Sequence, residues 1–352
     1  IKALLRHPEI GPQVNTDALP SLFLFGYVPT PQTCYRGVLK LPPGHLLRAE
    51  AGGRISIEPY WDAPLAPAPG RRQVSEAEAA ARIRELVVAA VRRRLVADVP
   101  LGAFLSGGID SSIVVGIMSQ LMREPVRTFS IGFAGDPRFD ETAYARLAAR
   151  RFGTAHTEFV VEPSSVELVE RLVWHHDGPF ADSSAIPTYL LSRLTREHVT
   201  VALTGDGGDE LFAGYLRFYA AVVAERVPHG VREMLGRACA GLPDWGDHRS
   251  PLARLRKFAG SASLPFAERF SRWISVFYED LARLLPGAGG NGAHTPGPLG
   301  ALAPYLQGCR GASPLTQLLY LNLKTYLLDD LLVKMDRCSM AHGLEARSPF
   351  LD

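Results

Sequence analysis

Two glycine-rich stretches hold the residues whose types and spacing could do chemistry. The first is Ser106-Gly107-Gly108-Ile109-Asp110-Ser111-Ser112. It follows the apolar run Leu101–Leu105 and precedes the helical pattern Ile113, Val114, Ile117, Met118, Leu121. A strand, a glycine turn and a helix N-terminus make an anion site, because free backbone N–H groups and the positive end of the helix dipole point into the turn. Gly107 and Gly108 let the backbone close on a ligand, while Ser106, Ser111 and Ser112 add hydroxyl donors. The second stretch is Gly205-Asp206-Gly207-Gly208-Asp209-Glu210, at the end of the strand-like run Val199–Thr204. Carboxylates packed together there repel and raise one another's pKa values unless a cation sits among them. A hard divalent ion such as Mg2+, shared with phosphate oxygens, meets that need. An exposed acidic turn is the alternative.

What the first loop lacks narrows the anion. A Walker loop ends in Gly-Lys-Ser or Gly-Lys-Thr, and no Lys is present. A serine-hydrolase nucleophile elbow needs Gly at position 104, which is Phe104. The dinucleotide fingerprint fails on its glycine spacing. For the glycine pair alone, an ordinary helix start after a strand stays open.

Strands and helices alternate around these loops. Ser75 and Glu78 form a capping box ahead of a helix with the stripe Ile83, Leu86, Val87, Ala90, Val91, Leu95. Strands are expected at Val126–Phe133, His156–Val161 and Val199–Thr204. Helices are expected over 140–151, 164–174 (with its own box, Ser164 to Glu167) and 183–198. This alternation predicts an α/β fold, a mostly parallel sheet with helices on both faces, whose ligands lie beyond the carboxyl ends of the strands.

The N-terminal region reads differently. Ile1, Leu4 and Leu5 suggest a helix, followed by short strands at Leu22–Tyr27, Val38–Leu41, Leu46–Arg48 and Ile55–Ile57, the last two joined at Gly52-Gly53. The Pro/Ala-rich stretch 63–70 marks a linker, taken as 63–74, which divides the chain into 1–62 and 75–352. Further on, 218–234 and 266–285 are helical in pattern, and 286–314 reads as a mobile loop. His175-His176-Asp177 has no nucleophile paired with it by motif and is read as structural, as is His45 after its Pro-Pro-Gly turn.

Composition bounds the function class. The 352 residues are 47% hydrophobic and 21% charged, with net charge +2, as in a soluble globular protein of two domains. No aromatic-studded basic stripe argues for a nucleic-acid partner, and no apolar run is long enough to cross a membrane. Cys34, Cys239, Cys309 and Cys338 are scattered without a Cys-x-x-Cys pair, which suits a reducing cytoplasm rather than a disulfide framework or zinc site.

The string Ser106–Ser112 resembles the pyrophosphate loop of the ATP-pyrophosphatase enzymes, which cleave ATP between the α and β phosphates. Further segments are Thr128–Phe133, Asp182–Pro187, Leu332–Arg337 and Gly343–Asp352. With Gly205–Glu210 they resemble the synthetase half of the class B, glutamine-hydrolysing asparagine synthetases. Residues 1–62 resemble the tail of that family's N-terminal nucleophile glutaminase domain, including Leu41-Pro42-Pro43-Gly44-His45.

The resemblance implies an adenine nucleotide α-hydrolase-like fold preceded by a β-rich glutaminase remnant. It implies that Ser106, Gly107, Gly108, Ser111 and Ser112 hold the β- and γ-phosphates of ATP, and that Asp110 and Asp209 bind Mg2+. Leu105, Ile131, Thr204 and Gly205 line the adenosine pocket, largely through backbone groups. Asp206 falls where many members carry Glu, a residue linked to acyl-adenylate formation and its attack by ammonia. Glu345 and Arg347 shape the acceptor side or form a structural ion pair. The implied substrates are ATP, aspartate or a related carboxylate, and ammonia or glutamine, with a homodimer allowed. Related β-lactam synthetases and peptide cyclases, and a non-catalytic ATP-binding relative, are the alternatives. Two departures shape the expectation. The chain begins at Ile1 where the family's glutaminase has an N-terminal Cys, and it stops at Asp352 where the family continues to a functional Lys. It is therefore expected to be a fragment, truncated at both ends, without glutaminase activity.

Overall fold

The computed structural model describes residues 1–65, 74–133, 141–161, 166–240, 251–278, 280–285 and 300–352. Two units divide the chain. One combines Ile1–Pro67 with Ala213–Asp329; the other combines Ala68–Phe212 with Asp330–Asp352 and holds both glycine-rich loops.

The first unit opens with a short 3-10 turn and then helix α1 (Leu19–Phe25). The sequence pattern suggested a strand at Leu22–Tyr27, and the structure corrects it. An unbroken apolar run fits either period, and here Pro20 in the first turn and left-handed Gly26 at the end (φ 84°) delimit a helix. The expected strand at Val38–Leu41 is also absent: Lys40 N bonds Pro31 O, outside any ladder. The hairpin does form, β1 (His45–Ala49) pairing antiparallel with β2 (Ile55–Pro59) around Gly53 at φ 80°.

Helix α2 (Glu76–Arg94) begins the second unit with the predicted capping box. Ser75 Oγ accepts from Glu78 N, and Glu78 Oε2 accepts from Ser75 N at 2.9 Å. Next come β3 (Leu101–Phe104), α3 (Ile109–Leu121), β4 (Arg127–Phe133), α4 (Thr142–Phe152), β5 (Ala155–Val161), α5 (Val166–His176), α6 (Ala185–Arg196), β6 (Val201–Leu203) and α7 (Gly208–Phe212). Asp140 and the Ser164 cap lie outside the described residues, as do 66–73 of the expected linker and 286–299 of the expected loop.

The chain then returns to the first unit through α8 (Leu216–Arg226), α9 (His229–Ala240), α10 (Pro251–Ala262), α11 (Phe266–Ile274), α12 (Leu281–Leu284), α13 (Ala303–Gly308) and α14 (Pro314–Asn322). The stretch 300–308, read as loop, is thus helical, with Pro304 in the first turn of α13 where its missing N–H costs nothing. A π-helical run, Leu323–Leu332, precedes α15 (Val333–Met340) and β7 (Glu345–Arg347), a strand the sequence pattern did not reveal. In the first unit Asp329 is buried and accepts from Thr30 N, Thr30 Oγ1 and Lys40 Nζ, so its charge is met by three donors.

The second unit is built on a parallel sheet in the order β5-β4-β3-β6-β7. Alternation along the strands splits its core. Ala103, Leu105, Val201 and Leu203 face a cluster with Val91 of α2, Val114, Val115 and Met118 of α3, and Ala145 and Ala149 of α4. Phe104 and Ala202 face the opposite cluster with Phe129 and Leu344, against which Leu191 of α6 and Met335 of α15 pack. Each large side chain buried this way contributes about 1.5–3 kcal/mol. From β3 the chain winds outward to β4 and β5, then crosses back to place β6 on the other side. The switch point therefore lies between β3 and β6, where doubly wound sheets open a crevice. Both glycine-rich loops leave from those two strands.

Candidate active site

The loop after β3 is shaped by one residue in a conformation that only glycine adopts readily. Gly107 has φ 82°, and a Cβ there would sit 2.3 Å from the carbonyl carbon of Tyr144. Gly108 occupies the N-cap of α3 without a side-chain cap, so the first-turn amides of the helix keep no intrahelical partner. The serines brace the turn: Gly108 N donates to Ser106 Oγ at 3.2 Å, and the Ser106 and Ser111 hydroxyls lie 3.1 Å apart. Ser106, Gly108 and Ile109 are exposed, so the uncapped helix end opens to solvent. That is the geometry of an anion cradle. Leu105 is buried in the core, so only its backbone can serve a ligand.

The loop after β6 closes directly on the first. A Cβ at Gly208 would lie 2.3 Å from Asp110 Cγ and 2.6 Å from both carboxylate oxygens; one at Gly205 would lie 2.9 Å from Ser111 N. Two glycines thus let the acidic loop press against the start of α3. Asp110 feels the crowding. Burial, then the charges of Asp209 and Glu210, raise its pKa to about 6. Glu210 is itself buried. Among the described residues no three carboxylate, imidazole or thiol groups gather as a complete metal cage. A pair of carboxylates under mutual repulsion beside an open anion cradle does fit Mg2+, which takes one or two protein carboxylates and completes its shell with phosphate oxygens and water.

Asp206 is held from below. Thr204 Oγ1 donates to Asp206 Oδ2 at 2.8 Å and lies 3.1 Å from Ser348 Oγ, so the Ser348 hydroxyl can in turn donate to Thr204. Burial raises the Asp206 pKa, opposed by the Thr204 hydrogen bond and by the charge of Lys334. Thr204, expected along the adenosine pocket, therefore turns its hydroxyl to Asp206. Its N–H is tied to Arg347 O at 2.8 Å.

Lys334 is a buried cation that the sequence pattern alone does not single out. Its ammonium donates to Asp182 Oδ2 and Ser184 Oγ, both at 2.7 Å, and its side chain is 11% exposed. Burial alone would push the Asp182 carboxyl up, yet the Lys334 charge and the hydrogen bonds from Lys334 and Ser184 leave it below the ordinary carboxylate range. The available signal was a lone charge inside an apolar helical run, Leu332-Val333-Lys334-Met335.

The remaining residues are placed as follows. Ile131 is half-buried on β4, paired with Phe159 of β5. Glu345 and Arg347 join each other: Arg347 Nε donates to Glu345 Oε1 at 2.7 Å, and Nη1 donates to the carbonyls of Arg94 and Val96. Those bonds direct both side chains to the end of α2 and not to the phosphate loop. His176 bonds Leu172 O through Nδ1 and stacks on Phe180, a structural setting. His45 likewise meets Pro43 O.

Comparison with known proteins identifies the family. Residues 82–352 match the asparagine synthase family, and residues 1–61 match the glutamine amidotransferase domain. The glutamine-hydrolysing asparagine synthetase 1 of Bacillus subtilis is 31% identical over 346 residues, 97% of this chain and 52% of its own length. A putative asparagine synthetase 2 of Methanocaldococcus jannaschii is 38% identical over 222 residues, 61% of this chain and 42% of its own. An amidase, chyE, of Penicillium rubens is 33% identical over 209 residues, 55% of this chain and 31% of its own. The chain spans about half the length of the curated relatives that it matches end to end. With the family match running from α2 to the last residue, across both loops and the whole parallel sheet, the chain belongs to the asparagine synthase family.

Proposed function

We propose that the protein forms amides at the expense of ATP through an acyl-adenylate, making asparagine from aspartate with nitrogen from glutamine or ammonia. The observation that carries this reading is the contact between the two loops: the uncapped start of α3 lies against an acidic loop that glycine allows to within touching distance of Asp110. A carboxylate oxygen of aspartate attacks the α-phosphorus, the α–β P–O bond breaks, and pyrophosphate leaves. Ammonia then attacks the acyl carbon, the acyl–oxygen bond breaks, AMP leaves and the nitrogen gives up a proton. Ser106, Gly107, Gly108, Ser111 and Ser112 hold the departing phosphates, and orientation with charge neutralisation supplies most of the first step. Asp110 and Asp209 hold Mg2+, which when bound screens phosphate charge. Leu105, Ile131 and Gly205 border the adenosine through their backbones. Asp206, anchored by Thr204, accepts the proton or orients the amine.

In this reading residues 1–62 are the end of a glutaminase domain and 75–352 the synthetase domain, a division supported by the separate matches at 1–61 and 82–352. No helix among the described residues is long and apolar enough to cross a membrane, and the four cysteines are unpaired; a cytoplasmic setting suits both. The likeness to an amidase supports a second reading, the same adenylation on another carboxylate. The test is product analysis of the full-length protein with ATP, Mg2+, aspartate and ammonia. AMP, pyrophosphate and asparagine are expected. ADP and phosphate would overturn the loop assignment, and turnover with other carboxylates alone would favour the second reading.

A further inference from the structure

We propose that Lys334 is the acceptor-binding cation of this site: it donates an N–H to the carboxylate that attacks ATP, while Asp182 and Ser184 hold the ammonium in place. The inference rests on the amide-forming reading above and adds a residue to it. A lysine ammonium has three N–H donors. Two are taken, by Asp182 Oδ2 and Ser184 Oγ, and among the described residues no third acceptor lies within bonding distance. A third donor that is buried and unmatched is costly unless a ligand meets it.

Position points the same way. Asp182 and Ser184 stand immediately before α6, and Ser184 N and Oγ both donate to Asp182 Oδ1, so the carboxylate is locked before it receives the lysine. Met335, the next residue along α15, packs on the cluster of Phe104, Phe129 and Ala202, which brings this turn of α15 over β3, β4 and β6. Among the described residues the charge of Lys334 acts on Asp206. The phosphate loop and the Asp110–Asp209 pair address the triphosphate. The incoming carboxylate still needs a cationic partner on the Asp206 side, and Lys334 supplies it. An ion pair serving only to tie α6 to α15 would affect folding and leave the balance between the two substrates unchanged.

The experiment measures aspartate-dependent ATP–pyrophosphate exchange in the full-length protein for wild type, Lys334→Met and Lys334→Arg, with thermal unfolding recorded alongside. Lys334→Met is expected to raise the KM for aspartate at least 30-fold while the KM for ATP stays within threefold. Lys334→Arg keeps the charge and the pair with Asp182 but moves the donors, and should raise the aspartate KM about 5- to 20-fold with ATP again unmoved. If Lys334→Met does not fold, the Arg variant decides alone. An unchanged aspartate KM, or equal changes for both substrates in a folded variant, overturns the role of Lys334. Absence of aspartate-dependent exchange in the wild type instead overturns aspartate as the acceptor on which the inference rests, so the two failures are distinct.

Discussion

The loops after β3 and β6 share one plan and reach opposite chemistry. Each leaves the carboxyl end of a buried strand, turns on glycine and enters a helix, and the two strands are neighbours in the sheet. After β3 the side chains are hydroxyls apart from Asp110, which faces the acidic loop, and the helix that follows runs 13 residues, so backbone dipoles accumulate behind an uncapped end. After β6 the helix has 5 residues and the side chains are carboxylates. One loop therefore offers donors and the other offers charge to be neutralised. The backbone plan sets where a ligand lies, and side-chain type alone sets which part of it each loop meets.

Breaking that division gives the largest expected effects. Asp206→Ala in the full-length enzyme should keep ATP affinity yet lose amide formation by about 10²–10⁴-fold, the usual cost of a missing proton-transfer group. Asp209→Asn should instead weaken Mg2+-dependent ATP binding and abolish exchange, since an amide oxygen is a poor substitute beside a hard cation. Calorimetric ATP titration with and without Mg2+, run beside separate exchange and product assays, checks both. Equal loss of ATP binding in the two variants would merge the acidic loop into a single metal site.

Gly208→Ala sharpens the contact between the loops. Its methyl would occupy the place of the Asp110 carboxyl, 2.3 Å from Cγ, and the side chain must swing away. Loss of that carboxylate from the phosphate site should lower exchange by about 10²–10³-fold, the scale of removing one preorganised electrostatic group. Circular dichroism should show the fold retained, because the displaced atoms end a side chain. Gly107→Ala is the opposite case. The clash there is with the backbone of Tyr144, and φ is 82°. Forcing alanine to positive φ costs on the order of 1 kcal/mol, and overpacking typically adds about 1–3 kcal/mol. Denaturant unfolding should therefore detect a loss of roughly 2–4 kcal/mol, in addition to weaker ATP binding.

The same contrast explains what the sequence could disclose. Ser106–Ser112 and Gly205–Glu210 are contiguous, and their meaning depends on local backbone rules, so the donors, the carboxylates and the parallel sheet between them were legible. Strand–helix alternation marked β3 to β6 because periods of 2 and 3.6 differ over those lengths. Leu22–Tyr27 failed because an unbroken apolar run carries no period. β7 is three residues long and owes its strand state to β6, with Val201 opposite Glu345 and Leu203 opposite Arg347. Lys334 escaped for a related reason: its partners stand some 150 positions earlier, at Asp182 and Ser184, and only the packing of α15 against α6 joins them. The bonds of Arg347 to the carbonyls of Arg94 and Val96 are equally non-local.

The smallest effects compare two helix starts, one closed by its own side chains and one left open. At α2, Ser75 Oγ and the Glu78 carboxylate satisfy backbone donors reciprocally. Removing that cap by Ser75→Ala should cost about 1 kcal/mol and leave ATP binding untouched. At α3, Gly108 holds the same N-cap place with no side chain to offer, and a Cβ there would meet only Ser106 Oγ at 3.3 Å. Gly108→Ser thus fits with little strain and should gain a few tenths of a kcal/mol, the usual margin of Ser over Gly at an N-cap. The new hydroxyl does so by taking a first-turn amide that the phosphates would otherwise occupy, so ATP affinity should fall about 10-fold as stability rises. Paired urea melts and ATP titrations of the two variants measure the trade. If Gly108→Ser gained stability with ATP affinity intact, the first-turn amides of α3 would not be the phosphate donors, and the serine hydroxyls would have to carry that role alone.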